Sequence, residues 1–84
     1  MDICKGGTIG PGATSITFTN DHSEPCTITG CNMPGWPANN PVVPAEQNGV
    51  PGTLTIQLAA SVRSGTYPYQ ASCCPGSHPA IKVQ

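Results

Sequence analysis

The chain has 84 residues, of which three are lysine or arginine and four are aspartate or glutamate, so its formal net charge is −1. A chain of this length predicts a single small domain covering residues 1–84, and such domains often need a cross-link or a metal besides their core. Three cations cannot neutralise a nucleic-acid backbone, which argues against nucleic acid as a partner. No apolar run approaches the length of a membrane span.

Five cysteines are many for a chain of this length. Such a density predicts disulfides in an extracellular protein, and metal binding or catalysis in a cytosolic one. The few charges and the abundance of Thr, Ser, Asn, Pro and Gly favour the outside of the cell, so we expect an extracellular or periplasmic (secreted) protein. The sequence contains no signal peptide, and Met1 is interpreted as a start residue added to a domain cut from a longer secreted chain.

Short β-strands are predicted along most of the chain, because apolar and polar residues alternate. Predicted strands cover residues 8–9, 15–19, 26–29, 53–58 and 80–83. A further strand is predicted before the last one, with Tyr67, Tyr69 and Ala71 on one face. A crossing segment is predicted at 59–64. The prolines and glycines between residues 31 and 52 leave little room for a helix or an inner strand, and Trp36 and residues 42–43 are expected to cover one end of the core. The pattern predicts an all-β fold, a small antiparallel β-sandwich.

The stretch from residue 65 to residue 83 concentrates most of the reactive side chains. Its loop carries Cys73, Cys74 and His78, and thiolate and imidazole are donors that copper and zinc prefer. A Cys–His nucleophile formed by Cys74 and His78 is conceivable. However, no third group or oxyanion motif accompanies it, and the acidic residues lack a spacing suited to acid–base work, so we do not expect an enzyme. His22, which lies in a polar turn, is interpreted as a solvated histidine.

Two segments of the chain resemble the cupredoxins. Residues 65–69 (GTYPY), a cysteine-bearing loop and residues 78–83 (HPAIKV) resemble the last hairpin of that family, which reads Gly-Thr-Tyr-x-Tyr-x-Cys, a short loop, His-Pro-x-Met and a final strand. Upstream, residues 16–21 followed by residues 25–28 (PCTI) are similar to the family segment that ends in Pro-His-Thr-Val. The resemblance implies a Greek-key antiparallel β-sandwich of cupredoxin type.

The chain departs from the family at most of the copper ligands, which are two histidines, one cysteine and a methionine. The corresponding positions of this chain hold Cys26, Ala71, His78 and Ile81. Cys73 and Cys74 follow two and three residues after Ala71. Only His78 keeps the family's residue in its place, which argues against ordinary blue-copper electron transfer.

The resemblance implies a metal site formed by Cys26, by Cys73 or Cys74, and by His78. Strand parity favours Cys73 over Cys74 as the inward thiol. A set with more sulfur and less nitrogen than blue copper favours Cu(I), or Zn(II), over Cu(II). The predicted function is therefore a secreted cupredoxin-like domain that binds or transfers Cu(I), with copper as its cofactor and a copper-handling protein as a partner.

A metal-free alternative stays open. In an oxidising compartment Cys26 could pair with Cys73 or Cys74 where family members use a metal, and this bond would contribute about 4 kcal/mol. Cys4 and Cys31 could form a second bridge, and the fifth cysteine would remain single or pair with another chain. A bond between the neighbours Cys73 and Cys74 needs a strained ring and is therefore less favoured than the other pairings. In this alternative the domain is a disulfide-supported structural or interaction module of a larger extracellular protein, with neighbouring domains as its partners.

Overall fold

The structure is a computed structural model that describes residues 1–58 and 62–84. Its strands, in chain order, are β1 (Gly6–Ile9), β2 (Ser15–Asn20), β3 (Cys26–Thr29), β4 (Val42–Val43), β5 (Gly52–Gln57), β6 (Gly65–Pro68), β7 (Gln70–Ala71) and β8 (Ala80–Val83). The described ranges contain no helix, and therefore none long enough to cross a membrane. The all-β prediction is confirmed for these ranges, while the first three residues of the predicted crossing segment 59–64 lie outside them.

The strands pair in three groups, with the orders β1-β8-β6, β2-β5 and β4-β3-β7. β1 runs parallel to β8, whereas the other pairs are antiparallel. The prediction of a purely antiparallel fold is therefore wrong for β1. The first and last strands of the chain are not joined by a tight turn, so nothing local imposes an antiparallel pairing on them.

The apolar core is centred on Phe18, whose side chain is fully buried. The ring of Tyr69 meets it edge to face at 5.6 Å between centroids, and the ring of Trp36 does so at 6.2 Å. Offset and edge-to-face pairs are the favoured arrangements of aromatic rings. The predicted alternation is confirmed in β2 and β3, while in β5 Ile56 is buried and Leu54 is only half-buried.

The predicted strand around Tyr69 is divided into two strands that join different groups. β6 pairs with β8, whereas β7 pairs with β3. At the break, the backbone N–H of Tyr69 donates to the carbonyl oxygen of Pro79 (3.1 Å), and its hydroxyl donates to the carbonyl oxygen of Ile3 (2.8 Å). Tyr69 thus marks the point where the chain passes from one group of strands to another. Its two hydrogen bonds fix the backbone just before β7 and the loop that follows β7.

Residues 31–51, which we call the Pro-rich segment, contain β4, a strand that the proline pattern did not predict. β4 pairs with β3, and Met33 and Val43 are buried in the core. The segment ends where Gly52 begins β5, and a β-carbon at Gly52 would collide with the carbonyl group of Pro44. Packing, together with this close backbone approach, holds the segment against the rest of the domain.

Candidate functional site

Four of the five cysteines form two adjacent disulfides, which we call the sulfur cluster. The bonds join Cys4 to Cys74 and Cys26 to Cys73, with Cα–Cα distances of 5.9 and 5.1 Å. The Sγ atom of Cys73 lies 4.0 Å from that of Cys4 and 3.9 Å from that of Cys74, so the two bonds lie side by side. Two neighbouring residues of one loop therefore attach it to two different parts of the chain.

The start of β3 positions one disulfide. Cys26 is the first residue of β3 and is fully buried. Next to it, the N–H of Thr27 donates to the hydroxyl oxygen of Ser72 (2.9 Å), and the N–H of Ser72 donates to the carbonyl oxygen of Thr27 (3.0 Å). The N–H of Cys73 then points at the Sγ atom of Cys26 (3.4 Å). These hydrogen bonds extend the β3–β7 pairing by one step and bring Cys73 against Cys26.

The N-terminal segment positions the second disulfide. Residues 1–3 run parallel to the end of β2, because the N–H of Ile3 donates to the carbonyl oxygen of Thr19, and the N–H of Thr19 donates to that of Met1. A carboxylate oxygen of Asp2 accepts from the N–H of Cys4 (2.8 Å), which forms a tight turn before β1. The chain thereby turns away from the end of β2 at Cys4, whose sulfur bonds to that of Cys74.

His22 belongs to the surroundings of the sulfur cluster, and this was missed from the sequence. The buried side chain of Asn20 accepts from the N–H of His22 (2.9 Å) and donates to the carbonyl oxygens of Glu24 and Pro44 (2.9 and 3.1 Å). This turn places the Nε2 atom of His22 3.3 Å from the Sγ atom of Cys4. The interpretation of His22 as a solvated residue depended on the polar residues next to it in the sequence. Those residues do not indicate that the N-terminal segment packs beside the turn.

The metal ligands predicted from the sequence are only partly brought together. Cys26, Cys73 and Cys74 lie in the sulfur cluster, whereas His78 is exposed and lines a cavity of about 200 Å³ beside Cys74. Among the described residues, the set of three potential ligands whose donor atoms all lie within 4.8 Å of one another is Cys4, Cys73 and Cys74.

In this oxidised form the predicted residues do not fit the copper site that the resemblance implies. Cys26 and Cys73 are bonded to each other and Cys74 is bonded to Cys4, so none of these sulfurs is a free thiolate. For the same reason Cys74 offers no nucleophile to His78. Metal binding by the reduced protein stays a prediction.

The disulfide predictions have a mixed outcome. Cys26 pairs with Cys73, one of the two partners predicted for it, but the predicted bond between Cys4 and Cys31 is wrong. β3 carries the chain about 10 Å away from Cys26 by Thr29, at about 3.3 Å per residue, so the chain has left the sulfur cluster before it reaches Cys31. Cys31 keeps a free thiol, and burial raises the pKa of that thiol against a smaller opposing effect of a backbone hydrogen bond from Met33.

We found no match to this chain among protein-family models, curated proteins or solved structures. The resemblance to the cupredoxins therefore stays a prediction from the residues quoted above. The function has to be inferred from the chain's own chemistry.

Proposed function

We propose that this chain is a secreted, disulfide-supported structural or interaction module that carries no resident metal in its oxidised form and catalyses no reaction. The observation that supports this proposal is the arrangement of the two disulfides. Through Cys73 and Cys74, one loop is bonded both to the start of β3 and to the N-terminal segment. Disulfides persist in oxidising compartments, which is consistent with an extracellular or periplasmic location.

The energetic effect of the two bonds is large for a domain of this size. The bond between Cys26 and Cys73 closes a separation of 47 residues, for which the chain-entropy relation gives about 4 kcal/mol. With that bond in place, the bond between Cys4 and Cys74 closes an effective loop of roughly 25 residues, which adds about 3.5 kcal/mol. Their sum is comparable to the whole stability of many small domains, about 5–15 kcal/mol. We infer that the disulfides supply constraint that the small core does not.

The proposal includes a Greek-key sandwich of cupredoxin type in which a disulfide takes the place of copper. Cys26 occupies the family's first histidine position, and Cys73 lies in the loop that carries the family's thiolate. Their bond would thus tie together the two strand ends that a copper ion joins in the family. An experimental structure superposed on cupredoxins tests this part, and a different strand connectivity would reject it without touching the disulfide-supported module.

The experiment that tests the proposed module uses protein secreted into the periplasm and purified without reductant. We expect an intact mass four hydrogens below that of the reduced chain, because two disulfides form. Alkylation under denaturing conditions should modify one cysteine, Cys31. Metal analysis should give no stoichiometric copper or zinc. Stoichiometric copper together with several modifiable thiols would reject the metal-free module.

Cu(I) binding is the second candidate function. It is favoured by one observation, the presence of three partly exposed cysteine sulfurs within 4.8 Å of one another. Thiolate sulfur is a preferred ligand of Cu(I) and zinc. These sulfurs become available only when the disulfides are reduced.

A further inference from the structure

We propose that reduction of both disulfides converts the sulfur cluster into a site for a closed-shell soft cation, Cu(I) or Zn(II), with three sulfur ligands and one nitrogen ligand. The sulfur ligands are Cys4, Cys73 and Cys74, and the nitrogen ligand is His22. This inference goes beyond the proposed module, because it concerns the reduced protein. It also replaces Cys26 and His78, the ligands suggested by the sequence, with Cys4 and His22.

The distances between the donor atoms are close to those of a tetrahedral site. Metal–sulfur bonds of about 2.3 Å and metal–nitrogen bonds of about 2.0 Å place two sulfurs about 3.8 Å apart, and a sulfur and a nitrogen about 3.5 Å apart. The Sγ atom of Cys73 lies 4.0 Å from that of Cys4 and 3.9 Å from that of Cys74. The Sγ atom of Cys4 lies 3.3 Å from the Nε2 atom of His22. Two adjustments complete the site. The sulfurs of Cys4 and Cys74 have to separate once their bond is broken, and the ring of His22, which contacts Cys4 only, has to turn toward Cys73 and Cys74.

Exposure and proximity together distinguish the proposed ligands from the other candidates. Cys4, Cys73 and Cys74 are partly exposed, and the side chain of His22 is 41% exposed, so that an ion can reach all four. Cys26 is fully buried at the start of β3 and lies outside the set of three sulfurs. Neither histidine belongs to the set of three sulfurs within 4.8 Å of one another among the described residues. The Nε2 atom of His22 nevertheless contacts the Sγ atom of Cys4 at 3.3 Å, whereas His78 makes no hydrogen bond to these sulfurs in the part of the chain that the structure describes.

The site is controlled by the oxidation state of the protein. Each disulfide takes two electrons and two protons from a dithiol reductant, which leaves as a cyclic disulfide, and two cysteine thiols result. A thiol that then binds the cation releases its proton to water, because the thiolate is the ligand. The cation enters as Cu(I) or Zn(II) and does not change its charge. The oxidised cluster therefore has no ligand sulfur to offer, and the reduced cluster has three.

Metal binding would restore part of the constraint that reduction removes. The cation would connect the N-terminal segment, the turn that carries His22 and the loop after β7, which includes two of the segments that the disulfides join. A ligand that binds the folded state and not the unfolded chain stabilises the folded state by mass action. Reduced protein should therefore regain stability when the cation is added.

The test uses a Cys31→Ser background, which removes the unrelated free thiol, with both disulfides reduced by a dithiol. Cu(I) is titrated against a competing chelator, and Zn(II) is titrated in a parallel arm that identifies the preferred cation. We expect one equivalent to bind and His22→Ala to weaken binding about tenfold or more. The matched variant His78→Ala should leave the affinity unchanged. Equal affinity in wild-type protein and His22→Ala, or a loss only in His78→Ala, would overturn the proposal.

A second pair of variants separates the ordered site from binding to an unfolded thiol-rich chain. Cys4→Ser should weaken binding in the reduced protein, whereas Cys26→Ser should leave it nearly unchanged. X-ray absorption should detect one nitrogen neighbour per ion, which is lost in His22→Ala. Equal effects of the two cysteine substitutions, or an all-sulfur spectrum, would reject the site. All these measurements use reduced protein, so they leave the disulfide count of the oxidised protein as a separate test of the proposed module.

Discussion

The sulfur cluster and the Pro-rich segment lie mostly outside regular strands, yet they are held in different ways. Two covalent bonds hold the cluster, and their persistence depends on the redox state of the surroundings. The Pro-rich segment is held by the buried side chains of Met33 and Val43 and by the contact of Trp36 with Phe18. The difference teaches that the covalent, redox-dependent constraints lie in one part of the domain, while packing and hydrogen bonds maintain the other.

Asn20 connects these two regions. Its amide nitrogen donates to the carbonyl oxygens of Val43 and Pro44 in the Pro-rich segment and to that of Glu24 in the turn beside the cluster. Its carbonyl oxygen accepts from the backbone N–H of His22. This buried side chain, together with the hydrogen bond from the N–H of Glu46 to the carbonyl oxygen of His22 (2.9 Å), sets the position of the turn relative to the Pro-rich segment.

The largest effect should come from reducing both disulfides in metal-free protein. The unfolding free energy should fall by about 7.5 kcal/mol, because two loop constraints on the unfolded chain disappear. Urea unfolding with and without a dithiol measures this loss. As a control, the double variant Cys4→Ser/Cys74→Ser, which keeps the other bond, should lose only about half as much. An unchanged urea midpoint after complete reduction would contradict a stabilising role of the cluster.

A pair of glycine substitutions compares the two regions directly. Gly52→Ala should destabilise the protein by about 3 kcal/mol, because the new methyl group has no space beside the Pro44 carbonyl group. Gly76→Ala, in the loop of the sulfur cluster, should change stability by less than about 0.5 kcal/mol, since nothing lies within 4 Å of the new atom. Urea unfolding of the oxidised variants measures both. Similar losses in the two variants would mean that the Pro-rich segment is not closely packed at Gly52.

Removing the connection between the regions should have an intermediate effect. Asn20→Ala should cost about 2 kcal/mol, because buried carbonyl oxygens lose their donor. Asn20→Asp keeps an acceptor for the N–H of His22 but loses the donating amide, so it should be destabilised as well. Thermal unfolding of the oxidised proteins measures these losses. Wild-type stability in Asn20→Asp would indicate that the donated hydrogen bonds do not matter.

A smaller loss than that of Asn20→Ala should follow Tyr69→Phe at neutral pH, which costs about 1 kcal/mol through loss of the hydrogen bond to Ile3. Burial, with a lesser contribution from the negative charge of Asp2, raises the pKa of Tyr69 above its ordinary value. The folded state therefore holds this proton more tightly than the unfolded chain, where tyrosine titrates near pH 10. The contribution of the protonated Tyr69 hydroxyl to the free energy of unfolding is fully present below that pH and declines as the pH rises above it.

Urea unfolding between pH 8 and pH 11 in a Cys31→Ser background checks the alkaline effect. Wild-type protein should lose stability more steeply above about pH 10 than Tyr69→Phe does, since the variant lacks the ionisable hydroxyl. Tyr67→Phe is the matched control, because the Tyr67 hydroxyl donates to the Arg63 carbonyl oxygen at an exposed position. Parallel pH profiles in wild-type protein and Tyr69→Phe would reject a role for the buried hydroxyl.

Local patterns were a good guide to the strands and a poor guide to their partners. Alternation in 15–19 and 26–29 predicted β2 and β3 and their buried faces. It missed β4 because two residues are too few to show a period. It missed the break at Tyr69 because strand residues lie directly before and after it. The parallel neighbour of β8 could not be predicted, since β1 lies at the opposite end of the chain.

The sequence by itself determined an all-β domain with a cysteine-rich loop, because strand alternation and residue chemistry are local properties. Only the tertiary structure decided that Cys74 bonds to Cys4 and that the ring of His22 contacts the Sγ atom of Cys4. Those neighbours are separated by up to 70 residues along the chain. They meet because residues 1–3 lie along β2, because Asn20 holds the turn that follows, and because the chain changes strand groups at Tyr69.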